Sequence, residues 1–344
     1  MIGFALSGGG VRGAYEVGAY YAFKKCHIKF DGYVGTSIGS LNAAFMAAGK
    51  AKQLLDMWVN TDIAKVLGFS GDYAKFLKKQ NISNNILQHL LFNTKKIIKD
   101  KGLSNDNLAK ILNAAGLEKK LRKNSIDYGL VTVKAKKLKP ICVFKEDIPI
   151  GKLNEYILAS CNFPIFKNEK TIDNNYYLDG GFYDNAPANM LLEKGYDKVY
   201  IIDLEAIGIK RKLKDINKVV IIKPSKNLKS IMNTNKEDII DNIKLGYYDT
   251  IKVLKHLDGK NYIFKKISDK KFDNLIKNVD KNLLKSIKSR FNEYDTKKLI
   301  IDVLEYLMIL YGYDYMKIYN PLSVIKELKK KERKTELFEF INEL

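Results

Sequence analysis

Twice within the first fifty residues, the chain runs from a short apolar stretch through a glycine-containing turn into a helix-forming stretch. Ile2 to Leu6 leads through Ser7-Gly8-Gly9-Gly10-Val11-Arg12-Gly13 into a helix expected from about Ala14 to Lys25. Tyr33 to Thr36 then passes through Ser37 into a helix expected from Ile38 to Ala48. Strands separated by single helices are the unit from which parallel sheets with helices on both faces are built. The spacing predicts an α/β fold, a three-layer α/β/α sandwich with a mostly parallel central sheet.

Later segments extend that pattern. Asp127 to Ala135 and Pro140 to Lys145 read as a strand pair turning at Ala135 to Lys139, and a helix near Lys152 to Ser160 leads to a strand ending at Leu178. Lys198 to Leu204 and Lys218 to Lys223 are continuous apolar runs, as expected for central strands covered on both faces. From about Asn261 the strand signals stop, and helical periodicity runs over Phe272 to Tyr294, Lys297 to Tyr311 and Pro321 to Leu344. The expected organisation is a core domain over 1–205, a continuation of the sheet with a packing helix over 206–260, and a helical C-terminal extension over 261–344.

The second turn carries chemistry. Gly35-Thr36-Ser37-Ile38-Gly39 fits G-x-S-x-G between strand and helix, the nucleophile elbow, in which Gly35 and Gly39 relieve crowding while the serine hydroxyl is lifted clear of the backbone. The chain reads first as a serine hydrolase. A hydroxyl becomes a competent nucleophile only when a base takes its proton. The three histidines are poorly placed for this: His27 follows a lysine-rich helix end, His89 sits among Leu87, Leu90 and Leu91, and His256 lies in a lysine-rich helical stretch. The order Ser37, Asp179, His256 would permit a triad of the α/β-hydrolase kind. Against it, one strand precedes the elbow strand where those enzymes build several, and His256 follows no strand.

A carboxylate is the better base. Tyr176-Tyr177-Leu178 delivers Asp179-Gly180-Gly181, a tight turn whose glycines let a carboxylate approach another stretch of backbone. Aspartate with an ordinary pKa near 3.9 is a weak base, so partial desolvation is expected to raise its proton affinity. Taken alone, the plainer reading of Asp-Gly as a surface turn would be the stronger one. The third piece is Gly8-Gly9-Gly10 with Arg12 and Gly13. Successive glycines at a helix N-terminus expose N–H groups in a positive field, which suits a developing oxyanion. Arg12 either orients this loop or meets a phosphate.

The same loop satisfies G-x-G-x-x-G through Gly8, Gly10 and Gly13, so a dinucleotide-binding protein is a competing reading. That fingerprint wants an acidic residue at the end of the second strand. Here Asp31 precedes the strand, which ends instead in Gly35-Thr36-Ser37.

The combination resembles the patatin-like phospholipase family over about residues 1–205, on Gly8-Gly9-Gly10-Val11-Arg12-Gly13, Gly35-Thr36-Ser37-Ile38-Gly39 and Asp179-Gly180-Gly181. Similar flanking stretches are Ala159-Ser160-Cys161-Asn162-Phe163-Pro164-Ile165-Phe166 and Asp184-Asn185-Ala186-Pro187. The resemblance implies a patatin-like catalytic domain acting on lipid acyl esters of phospholipids or lysophospholipids. It implies Ser37 as nucleophile, Asp179 as its sole partner in a dyad, an oxyanion hole from Gly8, Gly9, Gly10 and Arg12, and no metal or organic cofactor.

Composition fits an enzyme with a large core, at 344 residues and 46% hydrophobic content. A core strand begins almost at once, leaving no room for a signal peptide. The longest apolar run, Leu299 to Tyr311, is interrupted by Asp302 and Glu305 and is too short to span a bilayer. Cys26, Cys142 and Cys161 show no metal-ligand spacing and read as buried thiols in a reducing compartment. A cytoplasmic location with peripheral contact at the membrane is expected. The net charge of +21 admits two readings: a basic surface attracted to anionic headgroups, or a lysine-biased composition spread over solvated faces. Nucleic-acid binding has no supporting motif, because the lysines are dispersed and the tyrosines lack module-like spacing.

Two features stay open. Val66 to Leu103 carries the amphipathic set Ile82, Ile86, Leu87, Leu90 and Leu91, which fits either a lipid-contacting lid or a helical insertion packed on the sheet. The run from Lys329 to Lys334 fits a solvated helix face better than a docking patch. A non-catalytic membrane-surface scaffold is the remaining alternative, and it has no need of both an elbow and a loop of amides.

Overall fold

The computed structural model describes residues 1–66, 105–163, 170–331 and 333–344. The amphipathic insertion expected within Val66 to Leu103 lies almost wholly outside the described residues. The chain divides into two compact units, Met1–Tyr247 and Tyr248–Leu344.

The first unit is built on a seven-stranded sheet. In chain order its elements are β1 (Ile2–Leu6), α1 (Ala14–Lys25), β2 (Gly32–Thr36), α2 (Ile38–Ala47), α3 (Ala51–Asn60), α4 (Ile63–Val66), α5 (Asp106–Ala115), α6 (Leu117–Lys123), β3 (Asp127–Lys134), β4 (Lys139–Phe144), α7 (Leu153–Ser160), β5 (Tyr177–Asp179), α8 (Ala188–Glu193), β6 (Lys198–Ile202) and β7 (Val219–Ile222). Helix α9 (Lys236–Leu254) carries the chain into the second unit. The strand order is β4-β3-β2-β1-β6-β7, with β5 paired to β3. All neighbours among β3, β2, β1, β6 and β7 run parallel, while β4 and β5 are antiparallel to β3. A strand pair joined by a short turn must be antiparallel, and this is why β4 departs from the rest.

Alternation along the strands distributes the core between two faces. Phe4 lies in register with Tyr33 and with Tyr200, and these rings pack with Phe23 of α1 and with Phe30. Their sequence neighbours Ala5, Val34 and Ile201 point the other way, against Ala188 and Leu191 of α8. Side chains at successive strand positions face opposite sides, so helices on both faces are required to cover them. Burying Phe4 and Phe23 completely stabilises the fold by about 1.5–3 kcal/mol each. Beneath α1, the buried Glu16 accepts from Asn42 Nδ2 at 2.8 Å, and the same nitrogen donates to Gly13 O at 2.9 Å. Burial holds the Glu16 carboxyl well above the ordinary carboxylate range.

Two expectations are corrected. β7 is the edge of the sheet rather than a central strand, and its first three residues are only half-buried or exposed, so its apolar run marks one covered face. Cys161 is buried, but Cys26 is only half-buried and Cys142 is exposed at the edge of the sheet on β4.

The second unit is mostly helical, with α10 (Asp269–Leu275), α11 (Lys281–Phe291), α12 (Thr296–Leu310), α13 (Pro321–Leu328) and α14 (Glu336–Glu343). Two short parallel strands, β8 (Ile263–Phe264) and β9 (Ile318–Tyr319), also form where strand signals were expected to cease. Phe272 to Tyr294 breaks into two helices because Asp280 starts a new one, its carboxylate accepting from the N–H groups of Asn282 and Leu283. Pro321 to Leu344 is likewise two helices. Phe264, Phe272, Ile287, Leu304, Leu328 and Phe340 form a core of the unit's own.

At its centre the buried Glu305 carboxylate accepts from the backbone N–H groups of Lys260, Asn261 and Tyr262 at 2.6, 2.8 and 2.9 Å. Glu305→Ala strands these donors and is expected to cost about 3 kcal/mol or more, read as a lower urea midpoint of the full chain. A change below about 0.5 kcal/mol would show that the carboxylate is dispensable. Among the described residues, no helix is long and apolar enough to cross a membrane.

Candidate active site

Two strand ends meet head to head on one edge of β3. β2 runs alongside β3 until Thr36 lies opposite Val131. β5 approaches along the same edge from the other direction and ends with Asp179 opposite Thr132, the next residue. β4 occupies the other edge of β3 over this stretch. Ser37 follows Thr36 directly, so residues far apart in sequence are brought to one point by register alone.

Ser37 has φ 55° and ψ −131°, a sparsely populated conformation for a residue with a side chain, costing of order 1–3 kcal/mol. The surroundings hold it there. Its N–H donates to Ser160 Oγ at 3.0 Å, and the Ser160 hydroxyl in turn donates to Val131 O at 2.7 Å. Its carbonyl accepts from the Ser40 N–H at 2.8 Å and the Ser40 hydroxyl at 2.6 Å. Glycine is required at position 39, where an added Cβ would lie 2.5 Å from Leu6 O and 2.6 Å from Ser7 O. Gly35 lies against the Gly39 carbonyl, so the turn is as tight as the backbone permits. Ser37 caps α2, whose positive end therefore faces the hydroxyl.

Asp179 is 3% exposed. Its Oδ1 accepts from the Gly181 N–H at 2.8 Å, and Gly180 packs against Val131 O and Thr36. Burial disfavours the charged form and pushes the carboxyl up to about 6. The Ser37 hydroxyl, and then the Gly181 N–H, pull in the opposite direction. Oδ2, buried on the carboxyl's other side, has no hydrogen-bond partner among the described residues. Cys161 also lines the site, where burial and the neighbouring Asp179 raise its thiol and keep it protonated.

The glycine-rich loop closes the site from the other side. The Gly8 N–H donates to Asn185 O at 3.0 Å and Oδ1 at 3.1 Å, and Asn185 Nδ2 donates back to Gly8 O at 3.3 Å. Among the described residues, neither Gly9 nor Gly10 donates its N–H to another element. Gly10 has φ +56°, and a Cβ there would meet Ile231 O at 2.4 Å, which makes it obligatory. Of the two roles open to Arg12, the structure engages it in orienting the loop. Its Nε donates to Lys229 O at 2.8 Å, and Nη1 to Glu205 O at 3.1 Å and Leu204 O at 3.3 Å. Gly13 sits behind, against Ile38 and Asn42.

Gly8, Gly9, Gly10, Ser37, Asp179 and Gly181 line one cavity. Its remaining walls are mainly apolar: Ile38, Leu108, Phe163, Phe182, Ile207, Ile231 and Met232. Arg12, Gly13, Gly35, Gly39 and Gly180 shape the site without lining it. Sequence reasoning quoted Ser160 and Asn185 without giving either a role. Their signal is a polar side chain in a strand-end or turn segment, and only tertiary contacts distinguish such a residue from a solvated one. It also missed the lining from Ala206, Ile207, Ile231 and Met232, beyond residue 205.

No histidine lines the cavity among the described residues. His27 lies in the turn before β2, at the opposite end of that strand from Ser37; His89 is outside the described residues, and His256 belongs to the second unit. Among the described residues no group of three or more His, Cys, Asp or Glu side chains could hold a metal ion. Asp31 sits at the start of β2, where its Oδ2 accepts from the Ile2 N–H at 2.7 Å, so it is not at the strand end where a ribose would be held.

A largely apolar cavity at the carboxyl ends of a mostly parallel sheet, with a serine turn and a buried carboxyl at its base, sets the class: an α/β enzyme of ester hydrolysis. The model of the patatin-like phospholipase family matches residues 4–192. The chain belongs to that family and is a lipid ester hydrolase. Among solved structures it is similar to VipD from Legionella pneumophila, with 16% identity, 98% of this chain and 83% of that chain covered, and a TM-score of 0.48. It is also similar to the type III effector protein ExoU, with 14% identity, 99% and 70% covered, and a TM-score of 0.37.

Proposed function

We propose that the chain cleaves acyl esters of phospholipids or lysophospholipids with Ser37 as nucleophile and Asp179 as its only proton acceptor. The reading rests above all on the head-to-head meeting of β2 and β5, which brings the Ser37 turn up to Asp179, and on a lining that holds no histidine among the described residues. Asp179 takes the Ser37 proton as the hydroxyl oxygen attacks the ester carbonyl, forming a tetrahedral oxyanion. The N–H groups of Gly9 and Gly10 receive the negative charge, while Gly8, held by Asn185, lets the loop approach the serine. Collapse breaks the bond to the alcohol, which leaves with the proton returned by Asp179. Water then attacks the acyl-enzyme, Asp179 accepting its proton, and collapse breaks the acyl–Oγ bond, releasing the fatty acid as Asp179 returns the proton to Ser37. The apolar walls from Ile38 to Met232 suit the acyl chain.

A dinucleotide-binding role is disfavoured by the position of Asp31, and a scaffold leaves the buried carboxyl without a purpose. Incubating the full chain with phospholipid vesicles tests the reading. Free fatty acid with the matching lysophospholipid is expected, and release no greater than with Ser37→Ala would refute it.

A further inference from the structure

Two of the loops that line the cavity are tied together by the glycine-rich loop. The first follows β6 and supplies Ala206 and Ile207 to the lining; the second follows β7 and supplies Ile231 and Met232. Arg12 bridges them, donating from Nε to Lys229 O and from Nη1 to Glu205 O, and the Val11 N–H donates to Ile231 O at 2.8 Å. The first loop is fixed to the catalytic turn as well, since the Ile209 N–H donates to Gly181 O at 2.9 Å and its carbonyl accepts from Asn185 N–H at 2.6 Å. The two loops therefore form one rim held in fixed relation to Ser37 and Asp179.

That rim is basic and carries an apolar tip. Across 205–212 and 223–232 it bears Lys210, Arg211, Lys212, Lys223, Lys226 and Lys229 against a single acidic residue, Glu205. Lys210 is paired with Asp203 at 2.7 Å, and Lys223 with Glu205 at 3.3 Å. Arg211 lies over the Tyr183 ring, and the Lys212 and Lys229 side chains are exposed. Ile209, whose backbone is pinned to the active-site turn, leaves its side chain 56% exposed. An exposed isoleucine among cations, next to an apolar cavity, matches the cross-section of an anionic bilayer: headgroup charge outside, hydrocarbon within.

We propose that this rim docks the enzyme on anionic lipid bilayers, Lys212, Lys229 and Arg211 meeting headgroup phosphates while Ile209 enters the acyl boundary beside the cavity. The assignment rests on the lipid hydrolase reading and locates, within a net charge of +21, the part that recognises the membrane.

The test uses the full chain carrying Ser37→Ala, so that vesicles are not consumed, and measures sedimentation with phosphatidylcholine vesicles with and without phosphatidylglycerol. Lys212→Glu with Lys229→Glu is expected to weaken binding to the anionic vesicles roughly tenfold or more, and Ile209→Glu to do so independently. Lys119→Glu with Lys120→Glu makes the same charge change on α6, which leads into the amino end of β3, and is expected to weaken binding less than about threefold. Thermal melts identify any variant that fails to fold, and either the rim pair or Ile209→Glu then decides. Equal losses in rim and α6 variants, no loss in the rim variants, or equal binding to neutral vesicles would overturn the proposal. Hydrolysis of a soluble short-chain ester by the unmodified chain is measured alongside. Its absence would count against the catalytic reading while leaving the binding result to stand.

Discussion

Exchanging Asp179 for asparagine is expected to stabilise the protein while removing most of its turnover. Burial raises the carboxyl from 3.8 to about 6, so between those values the folded state holds a proton that the unfolded chain has released. Stability therefore falls as pH rises through this window, and above it the ionised carboxylate costs the fold up to about 3 kcal/mol. Asparagine keeps an oxygen for the Gly181 N–H but carries no charge to desolvate. Urea unfolding at pH 8 is expected to show the variant more stable by up to about 3 kcal/mol, with the gain gone below about pH 4. Turnover in the same preparation is expected to fall by about 10² to 10⁴, the usual worth of a positioned base. A variant with full activity, or one destabilised at pH 8, would separate this residue from the proton transfer.

Ser37→Ala is expected to lower lipid ester cleavage by about 10⁴ or more, because among the described residues no other hydroxyl or thiolate lines the cavity to form the acyl-enzyme. Cys161 does not substitute for it, since burial keeps its thiol protonated. Stability is expected to change by less than about 1 kcal/mol, because alanine retains the strained backbone and the Ser160 and Ser40 contacts are made by main-chain atoms. A fluorophosphonate should label the wild-type chain once, on the peptide containing residue 37, and leave the variant unlabelled. Labelling that persisted in Ser37→Ala would move the nucleophile elsewhere.

The fold was legible where local signals agree with one another. The strand, glycine turn and helix from Ile2 to Ala47 follow directly from apolar runs broken by obligatory glycines, and the elements form within a residue or two of their expected limits. β7 was misjudged because an apolar run reports the hydrophobicity of a strand and not its position in the sheet. The break at Asp280 was missed because its capping role depends on a carboxylate competing with helix continuation, which periodicity averages away.

At the site, Ser37 and Asp179 could be nominated from their glycine-rich turns, but the register that joins Thr36 and Asp179 to consecutive residues of β3 has no trace in either segment. Arg12 illustrates the same limit. Its charge left loop orientation and anion contact both open, and only the three backbone carbonyls it meets in the fold distinguish them.

The most direct measurement is kcat/KM on a soluble monomeric ester from pH 4.5 to 9, which avoids any effect of pH on vesicle binding. With Asp179 as the proton acceptor, the rate rises with unit slope below about pH 6 and is flat above it, and this ionisation disappears in the residual activity of Asp179→Asn. The same inflection surviving in Asp179→Asn, or a profile with no ionisation between 5 and 7, would contradict a serine activated by this carboxylate alone.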